Sequence, residues 1–518
     1  MHACRRSILN FYSVLTRSEC RIIKTAQNSS SSTIYALSSG YGKCGVAVIR
    51  ISGPHSSDAV SKMARMNSMP SPRRAVLRAF TDPETGEILD RGILIWFPGP
   101  YSFTGEDSCE FQVHGGPAVI TAILSGLGKL PGFRPAEPGE FTRRAFHLGK
   151  LDLTEVEGLA DLIDAETEVQ RRQALLQMGG MLSNLYNNWR QMLVKNVAHV
   201  EAYIDFGEDE SIEDNVMTQI DDSVTQLINI IKNHLSTGRC GERLRDGVRT
   251  VIVGEPNVGK SSLLNAICQR PAAIVTPFAG TTRDVIELHL NIGGYPVLLT
   301  DTAGLHNASR DEVEIEGMKR ARTATDLADL ILLVVDATRC LPQNTFETFL
   351  ENYVENLGLR TVSLQHILVN KFDGTDFRIT SSNDELKQYV IILNKIDLIE
   401  NLSNLHDIVN KYSNVVPVSC KTEDGFPHLF RIITQHLITL CGSPSHLHPT
   451  LTQARHRHHL LECVASLEKY IEFSKNDNDI VFAAQQLRNA TRHIGKITGC
   501  VSTEQILDVI FKDFCIGK

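Results

Sequence analysis

One short run of the chain has the residue types and spacing that hold the phosphate groups of a nucleotide. It reads Gly254-Glu-Pro-Asn-Val-Gly-Lys-Ser261. The two glycines allow backbone N–H groups to close around phosphate oxygens at a helix N-terminus, which favours anions. Lys260 can reach the β and γ phosphates, and the Ser261 hydroxyl can ligate Mg²⁺. The run therefore predicts a nucleoside triphosphate site. Its predicted contacts also include Asn257, Val258, Gly259 and Ser262.

Two further motifs fit the regions that sense the third phosphate. The stretch Gly280-Thr-Thr-Arg-Asp284 supplies Thr282 for Mg²⁺ and the γ-phosphate. A D-x-x-G motif then follows a strand-like run. Its aspartate would hold the magnesium shell, and its glycine can offer a backbone N–H to the γ-phosphate. The predicted contacts of this motif are Asp301, Thr302, Ala303 and Gly304.

The base is predicted to be guanine. The motif Asn394-Lys395-Ile-Asp397 follows an apolar run, and the Asp397 carboxylate can accept two hydrogen bonds from the Watson–Crick edge of guanine. Adenine cannot supply these donors, so the motif selects GTP over ATP. The run Ser419-Cys420-Lys421 fits the loop that supports the base. Five motifs in this order predict a P-loop G domain that hydrolyses GTP.

A second N-K-x-D motif leaves two choices for the guanine-reading residues. Asn370-Lys-Phe-Asp373 follows the apolar run 367–369 and lies at a better distance from Asp336. The later copy begins 25 residues before Ser419, a better distance on that side, and follows a longer strand-like run. We favour the later copy and interpret residues 358–385 as an insertion.

The sequence lacks the usual catalytic groups of a GTPase. Leu305 stands directly after D-x-x-G, where Ras-like GTPases place a water-orienting glutamine. Arg283 lies beside the switch threonine. Its position fits a structural ion-pair partner and an arginine finger equally well. Asn257 and backbone carbonyls of residues 276–281 can surround a monovalent cation that replaces the arginine. The acidic run Asp311-Glu-Val-Glu314 can reach a bridging water, with a solvated charged loop as the alternative.

The elements that must position these motifs form several domains. A chain of 518 residues is long enough for two to four cores. Residues 33–150 alternate β-rich runs, such as 44–51, 92–97 and 109–113, with Pro/Gly turns. One helix, near 118–130, interrupts these runs. The pattern predicts a compact α+β domain.

Helical patterns then flank a segment of alternating strands and helices. Asp152 and Glu155 have the spacing of a capping box. The apolar residues that follow at helical spacing are Leu153, Val156, Leu159 and Ile163. Helical patterns occupy 152–237 and roughly 450–513, and 248–440 alternates β and α. The predicted fold is multidomain: an α+β N-terminal domain, a helical domain built from both flanks, and an inserted α/β P-loop G domain.

The first 32 residues differ in composition from the rest. They contain five basic residues against one acid and end in four serines. This composition is typical of a mitochondrial transit peptide, with a disordered N-terminal tail as the alternative.

The net charge of −8 excludes a basic nucleic-acid coat, so an RNA partner would meet local patches. The twelve cysteines contain no C-x-x-C pair, which favours intracellular thiols. The longest apolar run is too short to cross a membrane.

Eight stretches outside the G motifs resemble one known family. They are Val46-Ala-Val-Ile-Arg-Ile-Ser-Gly53, Phe97-Pro-Gly-Pro100, Ser102-Phe-Thr-Gly-Glu-Asp107, His114-Gly-Gly116, Pro138-Gly-Glu-Phe141, Lys150-Leu-Asp-Leu153, Ala160-Asp-Leu-Ile-Asp164 and Phe514-Cys-Ile-Gly-Lys518. With the G motifs, they resemble the MnmE (TrmE) family of tRNA-modification GTPases in its mitochondrial form. The resemblance covers nearly all residues from 33 to the C-terminus, except the insertion.

The resemblance implies a folate-binding-like N-terminal domain that also mediates homodimerisation. The ligand would be 5-formyltetrahydrofolate or a related reduced folate. By motif position its site would contain Arg50, Glu110, Lys150 and Lys518, with surface or domain-docking charges as the alternative. Cys515 would act at the site of tRNA modification, with a buried apolar thiol as the alternative. The implied reaction is a one-carbon modification at carbon 5 of the wobble uridine.

The resemblance also implies GTP hydrolysis stimulated by potassium through G-domain dimerisation. Glu314 would orient water, with Lys260 on the phosphates. The implied cation ligands are Asn257, Thr276, Phe278 and Thr281 for K⁺, and Ser261 and Thr282 for Mg²⁺. The family works with an FAD-dependent partner of the MnmG (GidA) type on tRNA. Animal mitochondrial members are associated with taurinomethyl uridine, so we expect a location in the mitochondrial matrix.

The predicted domains follow from these patterns and from the resemblance. They are a transit peptide at 1–32, a folate-binding and dimerisation domain at 33–151, a helical domain at 152–247 and 442–518, and a G domain at 248–441. A regulatory GTP switch acting in ribosome assembly is the alternative function, because such GTPases share G-x-P-N-x-G-K-S and lack the glutamine. A pure folate-binding regulator is a third possibility. The N-terminal motifs and the Phe-Cys-Ile-Gly-Lys tail favour tRNA modification.

Overall fold

The structure is a computed structural model that divides into two compact units. It describes residues 32–40, 42–206, 216–236, 239–270, 287–300, 325–340, 345–357, 367–369, 387–399, 403–442, 450–475, 479–501, 507, 510–512, 514 and 517. The first unit comprises Met1–Ala160, Gln177–Gly207 and Val481–Lys518, and the second comprises Asp161–Leu176 and Glu208–Ile480. The domain boundaries given above stay predictions.

Six strands of the first unit form one sheet. They are β1 (Thr33–Leu37), β2 (Cys44–Ser52), β3 (Val76–Thr81), β4 (Ile88–Phe97), β5 (Ser108–Gly115) and β6 (Phe133–Pro135). The strand order is β3-β4-β5-β2-β1-β6, and all neighbours are antiparallel except β1 and β6. Along β4 and β5, buried residues alternate with more exposed ones, which is the period of a sheet packed on one face.

Three helices accompany this sheet, where the sequence predicted one. They are α1 (Ser56–Met63), α2 (Pro117–Gly128) and α3 (Glu140–His147). The prediction of a single helix is wrong because α1 and α3 have eight residues each, too few turns to show a clear period between glycines and prolines. Ala59, Val60 and Met63 of α1 nevertheless pack into the sheet core. That core includes Phe80 and Phe111, whose ring centroids lie 4.4 Å apart.

The predicted capping box opens the next helix, α4 (Leu153–Asp164). The Asp152 N–H donates to Glu155 Oε2 at 2.8 Å, and the Glu155 N–H donates to Asp152 Oδ1 at 2.9 Å. These reciprocal bonds satisfy donors that the helix itself leaves unpaired. Leu153 and Val156 are buried, as their spacing predicted. Ile163, in the last turn, is 40% exposed and so does not continue the buried stripe.

Further helices follow in the predicted helical region. They are α5 (Glu168–Met178), α6 (Met181–Phe206), α7 (Val216–Ser236) and α8 (Cys240–Asp246). The break between α5 and α6 falls at residues 179–180, where Gly180 has a φ of 82°. This left-handed conformation ends the helix at little cost only when the residue is glycine.

Six strands of the second unit form a second sheet. They are β7 (Val248–Val253), β8 (Glu287–Ile292), β9 (Tyr295–Thr300), β10 (Leu330–Asp336), β11 (Gln388–Asn394) and β12 (Val415–Pro417). The order is β12-β11-β10-β7-β9-β8, and only β8 and β9 are antiparallel. Every residue of β10 is buried, as expected for a central parallel strand covered on both faces.

Helices cover both faces of the second sheet. Along the chain these are α9 (Lys260–Cys268), α10 (Phe346–Asn356), α11 (Ser403–Lys411) and α12 (Phe426–Cys441). Residues of α9 and α12 belong to one core cluster, and residues of α10 belong to another. The predicted phosphate-binding run connects the carboxyl end of β7 to α9, and ligands bind at this edge of an open parallel sheet.

Beyond α12 the chain forms the long helices α13 (Ala454–Phe473) and α14 (Ile480–Thr498). α13 belongs to the second unit and buries Leu460, Cys463 and Leu467, one face of an amphipathic helix. Among the residues that the structure describes, none of the helices has the length and apolar character needed to span a bilayer.

Candidate functional site

The predicted phosphate-binding run forms a tight loop with two left-handed residues. Asn257 has a φ of 64° and Gly259 a φ of 100°. Left-handed residues within such a loop turn successive N–H groups toward one concave side, which makes an anion-binding nest. Any side chain at Gly259 would collide with Asn394, since an added Cβ would lie 2.2 Å from its Nδ2. The glycine is therefore required by space as well as by conformation.

Lys260 begins α9, and its ammonium group lies against the loop. Lys260 Nζ donates to the backbone oxygen of Gly254 at 2.9 Å and to that of Glu255 at 2.7 Å. An ammonium is a hydrogen-bond donor of the kind that phosphate oxygens accept from. Ser261 and Ser262, at the start of α9, are exposed. This arrangement fits a nucleotide phosphate held at a helix N-terminus, with a serine hydroxyl available to Mg²⁺.

Asn394 ties the guanine motif to the phosphate loop. It ends β11, and its Nδ2 donates to the backbone oxygen of Val258 at 2.8 Å. Its Oδ1 accepts a hydrogen bond from the Cys420 N–H at 3.2 Å. One buried side chain thus joins three of the sequence motifs, and the hydrogen bonds fix their spacing.

Asp397 occupies the position of a base-reading carboxylate. It lies in a short 3-10 helix at Ile396–Leu398 and its side chain is exposed. Ser419 Oγ donates to Asp397 Oδ1 at 2.7 Å and also accepts from the N–H of Lys421 at 3.3 Å. The loop predicted to support the base therefore holds the carboxylate in place. An exposed carboxylate held in this way can accept hydrogen bonds from guanine.

Lys395, the second residue of the guanine motif, forms an ion pair that the sequence did not reveal. Its Nζ lies 2.7 Å from Asp336 Oδ2, and the residue has a φ of 67°. Burial alone would raise the pKa of Asp336, but hydrogen bonds from Lys395 and Thr338 outweigh it and hold the pKa below its usual range. Asp336 thus stays charged and holds the loop. The signal for this ion pair in the sequence was Asp336, a charged residue at the end of an otherwise apolar strand.

The strand registers bear on the choice between the two N-K-x-D copies. β11 runs parallel to β10 in the same sheet, with Asp336 opposite Asn394. The apolar residues before the other copy, 367–369, form none of the strands, and the side chain of the buried Asn414 binds Ile367 and Val369. Asn370 and Asp373 lie outside the described residues. The geometry supports Asn394 and Asp397 as the guanine-reading residues.

Several predicted site residues lie outside the described part of the chain. They are Thr276, Phe278, Thr281, Thr282, Asp301, Thr302, Ala303, Gly304, Glu314, Cys515 and Lys518. Of the predicted potassium ligands, the structure places Asn257, which is exposed on the phosphate loop. A neutral amide oxygen there suits a monovalent cation beside the phosphates.

The first unit brings together two of the residues predicted to bind folate. Arg50 of β2 and Glu110 of β5 are paired in register, and Arg50 Nε lies 3.1 Å from Glu110 Oε1. The Arg50 guanidinium lies 5.2 Å from the ring centroid of Phe103 and 5.8 Å from that of Phe141. Both phenylalanines lie in stretches of the family resemblance, although neither was predicted to line the site. Such a pair beside aromatic rings can bind a flat heterocycle.

The third predicted folate ligand and the C-terminal tail are also placed within the first unit. Lys150 Nζ donates to the backbone oxygen of Pro100 at 3.0 Å. Gly517 is held against the end of β1, since Ser38 Oγ donates to its backbone oxygen at 2.9 Å. A Cβ on Gly517 would lie 2.2 Å from the oxygen of Leu37, so only glycine fits. Because β1 pairs with β2, the residue next to the C-terminus lies one strand away from Arg50.

Two family models match this chain. The model described as the GTP-binding protein TrmE N-terminus matches residues 33–150, and the model described as the MnmE helical domain matches residues 153–515. Together they span nearly all of the chain beyond its first 32 residues.

Curated relatives match over almost their full length. A mitochondrial 5-taurinomethyluridine tRNA synthase subunit GTPB3 of Danio rerio is 52% identical over 94% of this chain and 93% of its own. The protein of the same description from Homo sapiens is 47% identical over 94% of each chain. The tRNA modification GTPase MnmE of Parvibaculum lavamentivorans is 45% identical over 94% of this chain and all of its own. A solved FeoB G domain of T. maritima aligns with a TM-score of only 0.22, too low to add to the argument.

Proposed function

The chain belongs to the MnmE (TrmE) family of tRNA-modification GTPases, and from this premise we propose that it modifies carbon 5 of the wobble uridine in mitochondrial tRNA with a reduced folate as one-carbon donor. The resemblance inferred from the sequence is confirmed by two family models and by relatives 45–52% identical over nearly the whole chain. The chain is therefore a GTP-hydrolysing enzyme of tRNA modification.

The folate part of the proposal is carried by one arrangement in the first unit. Arg50 and Glu110 form a partly buried pair, and the Arg50 guanidinium lies over the rings of Phe103 and Phe141. A pteridine offers a hydrogen-bonding edge to such a pair and a flat face to the exposed ring of Phe103, while the glutamate tail of the folate would suit Lys150 and Lys518. The attachment of Gly517 to the end of β1 supports the presence of the C-terminal lysine at this site.

A homodimer is supported by apolar side chains that the first unit leaves uncovered. On β3, an edge strand, Leu77 is 73% exposed, and Val46 and Ile88 on β2 and β4 are exposed too. A second copy would remove these side chains from water. The G domains would then meet with a potassium ion bound at Asn257. This ion would supply the positive charge that the sequence otherwise lacks.

The remaining parts of the proposal come from the relatives. The Danio rerio and Homo sapiens proteins are described as subunits of a mitochondrial 5-taurinomethyluridine tRNA synthase. We infer a mitochondrial location, in the matrix, and a taurinomethyl product. A subunit implies a second protein, for which an FAD-dependent protein of the MnmG type is the proposal. A ribosome-assembly switch is not favoured, because the N-terminal family model matches the whole of residues 33–150.

Binding of 5-formyltetrahydrofolate tests the donor site. Wild-type protein is expected to bind it, and Arg50→Gln is expected to weaken binding about tenfold or more through loss of a charge-assisted hydrogen bond. The double variant Arg50→Gln, Glu110→Gln removes both charges of the pair together. Neither charge is then left without its partner, so that weak binding by this variant does not result from a folding defect. Arg78→Gln, on the exposed edge strand of the same sheet, serves as the control and keeps wild-type binding. A wild-type protein without measurable affinity for reduced folates would refute the donor.

A further inference from the structure

The buried hydroxyl of Tyr353, on α10, connects the phosphate loop to the neighbouring strand. Tyr353 is 3% exposed and its ring stacks on Phe349 with centroids 5.8 Å apart. Its Oη accepts a hydrogen bond from the Glu255 N–H at 2.8 Å and donates one to the Val334 backbone oxygen at 2.6 Å. Burial raises the pKa of Tyr353, so the hydroxyl stays protonated at working pH. One side chain thereby joins the loop to β10.

The peptide group that Tyr353 holds is also bound by Lys260. The Gly254 carbonyl and the Glu255 N–H belong to one planar peptide unit and point in opposite directions. Tyr353 fixes the N–H, and Lys260 Nζ binds the carbonyl at 2.9 Å. Rotation of this peptide would therefore move the anchor of the ammonium group. The tyrosine is thus coupled to the lysine through a single peptide plane.

The start of the loop has little room to adjust in any other way. A Cβ on Gly254 would lie 2.4 Å from the Val334 oxygen and 3.1 Å from Tyr353 Oη. The loop is therefore packed against the same two groups that the hydroxyl connects. Close packing alone resists compression, whereas the hydrogen bond sets the rotation of the peptide.

We propose that Tyr353 is a positioning residue for GTP hydrolysis, which aims Lys260 at the phosphates by fixing the Gly254–Glu255 peptide. The inference rests on the proposed GTP site and not on the folate or tRNA steps. Lys260 acts most strongly where negative charge develops during phosphoryl transfer. Loss of the hydroxyl therefore lowers kcat, while the base contacts of Asp397 keep nucleotide affinity close to its original value.

The test compares two tyrosine-to-phenylalanine variants of the full-length protein. Tyr353→Phe removes the hydroxyl and keeps the ring. Tyr389→Phe is the matched control, because Tyr389 is also buried, at 4% exposure, in the second unit. Its hydroxyl has no hydrogen-bond partner among the residues that the structure describes. Stoichiometric titration with fluorescent GDP counts the folded sites, so that unfolded protein does not enter the rates.

The expected result is a fall of about fivefold in kcat per titrated site for Tyr353→Phe, with KM for GTP and the Kd for GDP changed by less than about twofold. Tyr389→Phe keeps the wild-type kcat. Equal kcat in the two variants would overturn the inference, as would a loss in Kd as large as the loss in kcat. A wild-type protein that hydrolyses no GTP would instead contradict the proposed GTP site itself, so the two failures are distinguishable.

Discussion

Ser419 donates a hydrogen bond of 2.7 Å to the carboxylate of Asp397, across the 22 residues that separate two of the sequence motifs. The bond holds an exposed carboxylate that has the hydrogen-bonding pattern needed to read guanine. A base-reading group needs to be exposed, so that it faces the ligand, and to be held in place, so that it is already oriented when the ligand arrives.

Asp397→Asn is expected to weaken GTP binding and to improve binding of xanthosine triphosphate. The substituted amide donates where guanine also donates, and it matches the additional carbonyl of xanthine. Affinities for the two nucleotides should shift by at least about tenfold in opposite directions. Asp373→Asn is the matched control in the other N-K-x-D motif and should change neither affinity. Reversed behaviour of the two variants would assign guanine recognition to the earlier motif.

Potassium is expected to stimulate GTP turnover about tenfold over sodium at matched ionic strength, because without an arginine finger the transition state is short of positive charge. Asn257→Gly should remove most of this difference. Glycine suits the left-handed φ of 64°, so that this variant loses the amide oxygen without the backbone strain of Asn257→Ala. Equal turnover of the wild-type protein in the two salts would refute the cation site.

Most of the site's residues could be named from the sequence, but their connections could not. The order strand, Gly254–Ser261 loop, helix follows from local signals of period and glycine spacing. Asn394 was predicted as part of the guanine-reading N-K-x-D motif, yet its hydrogen bond to the Val258 backbone depends on how two distant strands align. Tyr353 gave no signal, because a tyrosine on an amphipathic helix is ordinarily a core residue.

The fold shows the same division between local and distant information. The Asp152–Glu155 capping box depends on four consecutive residues and was predicted correctly. The short helix α1 was missed, since its eight residues form a helix by packing Ala59, Val60 and Met63 onto the sheet. Tertiary contacts of this kind outweigh weak local propensity and leave little trace in a single sequence.

Gly517→Ala is expected to stop wobble-uridine modification while leaving GTP turnover unchanged. The added methyl group would collide with the Leu37 oxygen at 2.2 Å and displace the C-terminal tail. Gly42→Ala is the matched control, because Gly42 has a φ of 119° and no atom within 4 Å of the added Cβ, so that it tests backbone strain alone. Normal modification by the Gly517→Ala protein would show that the tail has no part in the chemistry.

Acid should destabilise the protein through His436. Burial lowers the pKa of His436 to about 4, against about 6.5 in the unfolded chain. At His436 the folded state binds fewer protons than the unfolded chain. The contribution of His436 to the free energy of unfolding is therefore constant above about pH 7 and falls as the pH drops toward 4. The contribution lost at pH 5 is about 2 kcal/mol. His436→Gln should remove that part of the pH dependence in urea unfolding, whereas His406→Gln, on an exposed position, should retain it.

The most direct test of the account is mass spectrometry of wobble uridines in mitochondrial tRNA from cells with and without this protein. We expect the carbon-5 modification to be lost without the protein. Wild-type protein should restore it, but Lys260→Ala should not if, as we propose, modification depends on GTP hydrolysis at the P-loop. Wobble uridines that remain fully modified in cells lacking the protein would contradict the central claim.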